Sequence, residues 1–436
     1  MNSPRILGVF VLAGAAFAAA LPSAQAPARP AGQPSYTGPG SCAASSCHGS
    51  VRPVAGSPVP QTEYTTWMTQ DRHAKAMDVL NNPVSLRMAR LLGIPRADSA
   101  PRCLGCHSID VPDTQRARSF AAEGVSCEAC HGPASAWLGP HTTRGWSHAQ
   151  SVAAGMIDTK NIVTRTENCA SCHIGTARNV VDHEMIAAGH PDLVFDLEAF
   201  SAAMPRHWPD ATPDDPWRSV RTWSVGQIVQ LREGLDRLAR NAGTPSGEYA
   251  ERDCFSCHHS LTRAEDSWRQ EAGYAGRRPG DLAWNHARIA VARLIAEAID
   301  SAAASQINAA VGQLQEAAST RPVRAEDLAF KSAAIRQTLD SLAQRASAAP
   351  IDAAAVTRLI RAIAGDADRI AGYGERSAEQ AAMSLEVLVT AASKNGSADP
   401  RPARAALDRL LQLLENPSAY DPRRFSAAMK QVAGLF

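Results

Sequence analysis

The sequence predicts a mainly α protein in two parts: a loop-rich segment organised by cysteine–cysteine–histidine units, then an alanine-rich run of helices suited to a bundle. Three observations predict this. All ten cysteines fall between residues 42 and 257, in five pairs, and a histidine follows each second member. Proline and glycine recur through that segment, and no apolar run is long enough to build a sheet. From about residue 282 cysteine vanishes, alanine rises and apolar residues recur at helical spacing.

The N-terminus, MNSPRILGVFVLAGAAFAAALPSAQA, starts with Arg5, continues as an uncharged and mostly apolar run from Ile6 to Leu21, and ends in Ala24-Gln25-Ala26. That is the layout of an export signal. The run is short for a membrane span, which takes about 20 residues. Residues 1–26 are expected to be a signal peptide, with Pro27 moving the cut a few residues. The mature protein is then exported, periplasmic in a bacterium, with no membrane span left after removal. An uncleaved anchor is the alternative. Residues 27–40, rich in Pro, Gly, Ala and Ser, read as a linker.

Residues 41–281 hold the cysteine units. Four read C-x-x-C-H: Cys103, Cys106 and His107; Cys127, Cys130 and His131; Cys169, Cys172 and His173; Cys254, Cys257 and His258. This is the c-type haem attachment pattern. Two thiols add across the two vinyl groups of one haem, and the next residue must be an imidazole that reaches the iron as first axial ligand. Zinc sites need no histidine after every pair. A thioredoxin-type pair appears once, in a βαβ pattern. Disulfide frameworks place no histidine there.

The remaining unit is SCAASSCHGS, residues 41–50, with Cys42, Cys47 and His48 and four residues between the cysteines. It reads as a fifth haem unit whose small residues, Ala43, Ala44, Ser45 and Ser46, let the longer loop bulge away from the porphyrin edge. A local disulfide loop and a metal clip are the alternatives. Five covalently attached haem c groups are expected.

Eight of the thirteen histidines remain as candidates for the sixth iron ligand. His73 lies in the helix-like YTTWMTQDRHAKAM, six residues after Trp67. His183 and His190 bracket DHEMIAAGHP about two turns apart, with Asp182 as cap and Gly189 as stop. His141 is favoured over His148 in PHTTRGWSHAQ. His286 sits in the first long helix after the last unit. His259 adjoins His258 and is expected against a propionate or a neighbouring haem, and His207 lies in the proline-rich PRHWPD.

Residues 222–243 read as one clear helix, with Val225, Ile228, Leu231, Leu235 and Leu238 at helical spacing and Gly243 as a stop. In the alanine-rich domain, residues 282–436, helices are expected at about 282–301, 303–318, 325–346, 352–370, 375–394, 402–415 and 422–434. The fifth of these carries the stripe Ala378, Ala381, Ala382, Leu385, Leu388 and Val389. This domain is structural or a docking surface.

A net charge of +1 without basic clusters excludes a nucleic-acid binder. Aromatic residues are only 5% of the chain, which makes sense if haem fills part of the interior.

The chain resembles exported multihaem cytochromes of the cytochrome c-554 type, relatives of the hydroxylamine oxidoreductase scaffold. The resemblance rests on YTGPGSCAASSCHG, Trp67 to His73, EGVSCEACHGPASAWLGPH, ENCASCH, DHEMIAAGHPDLVFDLEAF and DCFSCHHSLTRAEDSWRQEAGYAGRRPGD, and covers roughly residues 35–300. It implies close-packed haems forming an electron conduit, cross-ligated by histidines between the motifs, which supports His73, His141, His183 and His190. The chain departs from the four-haem carriers in its fifth motif, its widened first motif and its long haem-free C-terminus.

The expected function is electron transfer through five mostly bis-histidine haems, with redox proteins as partners. Two alternatives stand. One is an oxidoreductase with an open iron acting on a small nitrogen or sulfur compound, where His148, His207 and His259, with Arg277 or Arg278, donate protons or hold an anion. The other is a docking subunit of a larger redox complex.

Overall fold

A computed structural model describes residues 33–57, 59–118, 120, 123–208, 215–240, 248–258, 284–319 and 324–436. The expected signal peptide, most of the linker, His259, Arg277 and Arg278 lie outside the described residues. The fold is mainly α. Among the described residues, extended pairing is limited to the isolated bridges Tyr36–Arg116 and Arg252–Trp284.

The first half is built from short helices joined by ordered loops: α1 (Glu63–Gln70), α2 (Pro83–Leu91), α3 (Pro101–His107), α4 (Cys127–His131), α5 (His148–Ala153), α6 (Ile162–His173), α7 (His183–Ala188) and α8 (Leu197–Ala203). Their ends are written in the sequence. Pro83 and Pro101 open α2 and α3, where a missing N–H costs nothing. Ser147 and Gln150 form a capping box on α5. Asp182 accepts from the Met185 N–H at 2.9 Å to start α7, and Gly189, at φ 115°, ends it in the left-handed region.

Three cysteine units end a helix, so that α3, α4 and α6 each terminate on their own histidine. The last unit lies on a 3-10 turn, Cys254–Ser256, and the first on the turn after another, Pro39–Ser41. Apolar clustering in this half is small, one cluster around Ile174 and Phe195 and another around Leu80 and Ala89.

The large apolar core belongs to the second half. It comprises α9 (Arg218–Arg240), α10 (Ala287–Ile299), α11 (Ser301–Ser319), α12 (Ala325–Ala348), α13 (Ala353–Gly365), α14 (Ala367–Gly372), α15 (Glu375–Lys394), α16 (Pro400–Gln412) and α17 (Pro422–Ala433). The stripe on α15 is buried throughout. Each large aliphatic side chain buried in such a core stabilises by about 1.5–3 kcal/mol. The helix expected over 352–370 is split after Gly365, where Asp366 breaks the run and pairs with Arg293 and Arg369.

One core runs from Trp217 to Val432, so α9 packs into the C-terminal helices. Its polar faces reach the other way. Arg232 pairs with Glu167 of α6 and, at 2.5 Å, with Asp340 of α12. Arg237, itself buried, bonds the buried Glu251 at 2.5 Å and the Ile174 carbonyl at 2.8 Å. Removing one partner of such a buried pair costs about 3–5 kcal/mol. The helix is thus the spine that fixes α6 and the 248–258 segment against the bundle.

Candidate functional site

Four of the five motif histidines face a second histidine from a distant segment. The ring centres of His48 and His141 are 6.2 Å apart, those of His73 and His173 6.1 Å, those of His107 and His190 6.4 Å, and those of His183 and His258 6.2 Å. A metal held about 2 Å from one nitrogen of each of two imidazoles separates the ring centres by roughly 6 Å. The spacing therefore fits an iron between the rings of each pair.

The nitrogen chemistry fits as well. A ligating imidazole commonly donates its other N–H to a carboxylate or carbonyl, which fixes the ring and raises its basicity. Nδ1 of His48 lies 3.0 Å from Glu63, and Nδ1 of His73 lies 3.0 Å from Asp71. Nδ1 of His107 meets the Ala76 carbonyl at 2.7 Å, that of His141 the Leu138 carbonyl at 2.6 Å, and that of His190 the Pro191 carbonyl at 2.7 Å. In all five rings Nδ1 is the engaged nitrogen, which leaves Nε2 for a metal. His148 spends its Nε2 on Asp158, at 2.9 Å. Burial first, and then the neighbouring imidazole, lowers the pKa of His173 to about 4 and also lowers that of His107, which favours the neutral, ligating form.

Two sequence-predicted residues have no facing imidazole among the described residues. His286 is buried at the start of α10 and stacks on Tyr373 with ring centres 4.3 Å apart and planes at 10°, while His258 faces His183 instead. His131 has no facing ring among the described residues. Burial and then the nearby His207, His48 and His148 lower its pKa to about 4. Nδ1 of His207 is buried without a hydrogen-bond partner.

The widened first unit folds as a bulge. The Cys47 N–H bonds the Ala44 carbonyl at 2.8 Å and the His48 N–H bonds the Cys42 carbonyl at 3.2 Å. Ala44, Ser45 and Ser46 face solvent. The loop turns back onto Gly49, where an added Cβ would overlap the Ala43 carbonyl. The Cys42 sulfur lies against that of Cys127 of the third unit. No cluster of three or more His, Cys, Asp or Glu forms a metal clip among the described residues.

Thiol contacts also set the units side by side. Cys42 adjoins Cys127, and Cys106 adjoins Cys172. Asn168 beside the fourth unit donates to the Ala129 carbonyl within the third, at 3.1 Å. An added Cβ on Gly105 would strike Asn179, whose amide donates to the Ser171 carbonyl at 3.2 Å, so the second and fourth units are locked closely together. The second meets the fifth through α7. Arg102 of α3 bonds Asp182 at 2.5 Å, and the His183 N–H bonds Glu248 at 2.9 Å. The units thus follow the spatial order first, third, fourth, second, fifth, which spacing along the chain does not reveal.

A family model described as cytochrome c554 and c-prime matches residues 42–132, which hold the first three units. No curated protein and no solved structure matches the chain. Residues 42–132 thus match a family of multihaem c-type cytochromes, and cysteine–cysteine–histidine units of the same kind continue beyond the match to residue 258.

Proposed function

We propose that the chain is an exported five-haem cytochrome that passes electrons along the order first, third, fourth, second, fifth. The single observation that carries this reading is the set of four facing histidine pairs at 6.1–6.4 Å. Bound haem supplies one-electron Fe(II)/Fe(III) chemistry. The ten cysteines would hold the groups covalently, and the four histidine pairs would supply ligands to four of the irons. Glu63 and Asp71 place a carboxylate behind His48 and His73, which strengthens those donors and favours the oxidised state. His107 and His190 have only carbonyls behind them, so the second site is the weaker donor set. The potential then varies along the row through the chain's own hydrogen bonds.

Export is supported by the N-terminal pattern of residues 1–26 and by the chemistry of haem attachment to thiols. Among the described residues no helix is long and apolar enough to cross a membrane. Redox proteins are the proposed partners, and the C-terminal helices the proposed docking module of any larger complex.

His131 favours a second reading, an oxidoreductase. With no imidazole facing it among the described residues, the third site is the one to hold an open iron, flanked by His207 and the His148–Asp158 pair as proton sources. Optical and EPR spectra with cyanide or nitric oxide decide between them. Five low-spin haems that bind neither probe support the carrier. A single responsive haem, lost with Cys130→Ser, supports the enzyme.

A further inference from the structure

A cavity of about 190 Å³ lies between α6, α8 and the start of α9. Arg165, Arg206 and Arg218 converge on it, together with Glu198, Ser201 and Ser219. With a water occupying about 30 Å³, the space takes one small anion and its hydration.

Arg165 is the least satisfied of these groups. Burial, and then the nearby Arg218, push the Arg165 guanidinium below its usual range. The Arg165 Nε is buried with no hydrogen-bond partner. Among the described residues Glu198 is the acid lining the cavity, and burial raises it to about 7 even though Arg165, Arg218 and Arg206 all pull it down. Arg165 and Arg218 therefore face a carboxyl that is half protonated near neutrality, with Arg206 at the cavity's edge. A planar fork of N–H donors is matched to carboxylate and oxyanion geometry.

We propose that this cavity holds a carboxylate or small oxyanion, gripped by Arg165, Arg206 and Arg218. Arg165 stands one helical turn before Cys169 on α6, so the anion sits beside the fourth cysteine unit. Two sources supply this chemistry: a propionate of the haem held at that unit, or a free oxyanion from solution. In either case the anion's charge acts on the neighbouring iron.

The test uses the purified holoprotein at low ionic strength, with sulfate as probe in isothermal titration, and redox titration of each haem. Arg165→Gln is the direct variant. Arg206→Gln, at an exposed position, stands in if the first does not fold. A free oxyanion site binds one sulfate per chain, at least tenfold more weakly in either variant. A propionate site binds no sulfate, and either variant shifts one haem to lower potential, because loss of a cation favours Fe(III), at unchanged haem content. Sulfate binding that neither variant weakens overturns the proposal. So does absent binding together with potentials that do not move.

Discussion

His73 and His173 meet edge to face, ring centres 6.1 Å apart and planes at 88°, although one precedes α2 and the other ends α6. The buried Asp71 holds the pair in place. It accepts from the His73 backbone N–H at 2.9 Å and sits 3.0 Å from its Nδ1. Asp71→Asn keeps the shape and removes the charge. The fourth haem is expected to rise by tens of millivolts, read by redox titration, with the other haems unmoved. Asp71→Ala additionally removes the cap of the turn, at a cost of about 1 kcal/mol in urea unfolding.

The bulge of the first unit depends on Gly49. Gly49→Ala drives a methyl into the Ala43 carbonyl, so the loop cannot close as it stands. Mass spectrometry of the mature native protein is expected to show five haems, and of the variant mostly four. Five haems in the variant at full occupancy would show that the loop has another way to close.

His141 and His148 separate cleanly. His141→Ala leaves His48 without its facing ring, and one haem is expected to become high-spin by EPR. His148→Ala breaks only the half-exposed pair with Asp158. That variant is expected to keep every spin state and to lose less than about 1 kcal/mol.

Glu198 carries a pH dependence whose sign follows from its raised pKa. Burial lifts it to about 7 from 4.5, against the pull of Arg165, Arg218 and Arg206 and with Asp196 adding to the rise. A carboxyl raised in the fold stabilises fully below its unfolded value. That stability is lost as pH climbs toward 7. Glu198→Gln removes the loss. It is expected to unfold at higher urea than the native protein at pH 8, by on the order of 2 kcal/mol, and to differ little at pH 5. Equal gains at both pH values would sink the assignment.

The cysteines and their adjacent histidines were legible because covalent attachment demands a fixed local spacing, and a residue string displays local spacing. Helix ends were legible for the same reason, as with Asp182 and Gly189 around α7. The split at Gly365 was not, because Asp366 is drawn to Arg293 on another helix. Distal histidines were legible as a candidate set and not as pairs. His286 shows why. Its place on a helix suggested a ligand, but the fold sets Tyr373 against its ring.

By itself, then, the sequence pointed to the chemistry: four thiol pairs with imidazoles at haem-attachment spacing and a fifth, wider pair, small residues in the wide loop, and an apolar stripe for the bundle. Tertiary structure decided which imidazoles face each other, which of two nearby histidines keeps its Nε2 free, the order of the units in space, and the meeting of Arg165, Arg206 and Arg218 around one cavity. The physical reason is range. Attachment and capping act within a few residues. Ring pairs and a shared cavity arise only when segments far apart in the chain are packed against α9 and fixed there by buried ion pairs such as Arg237–Glu251.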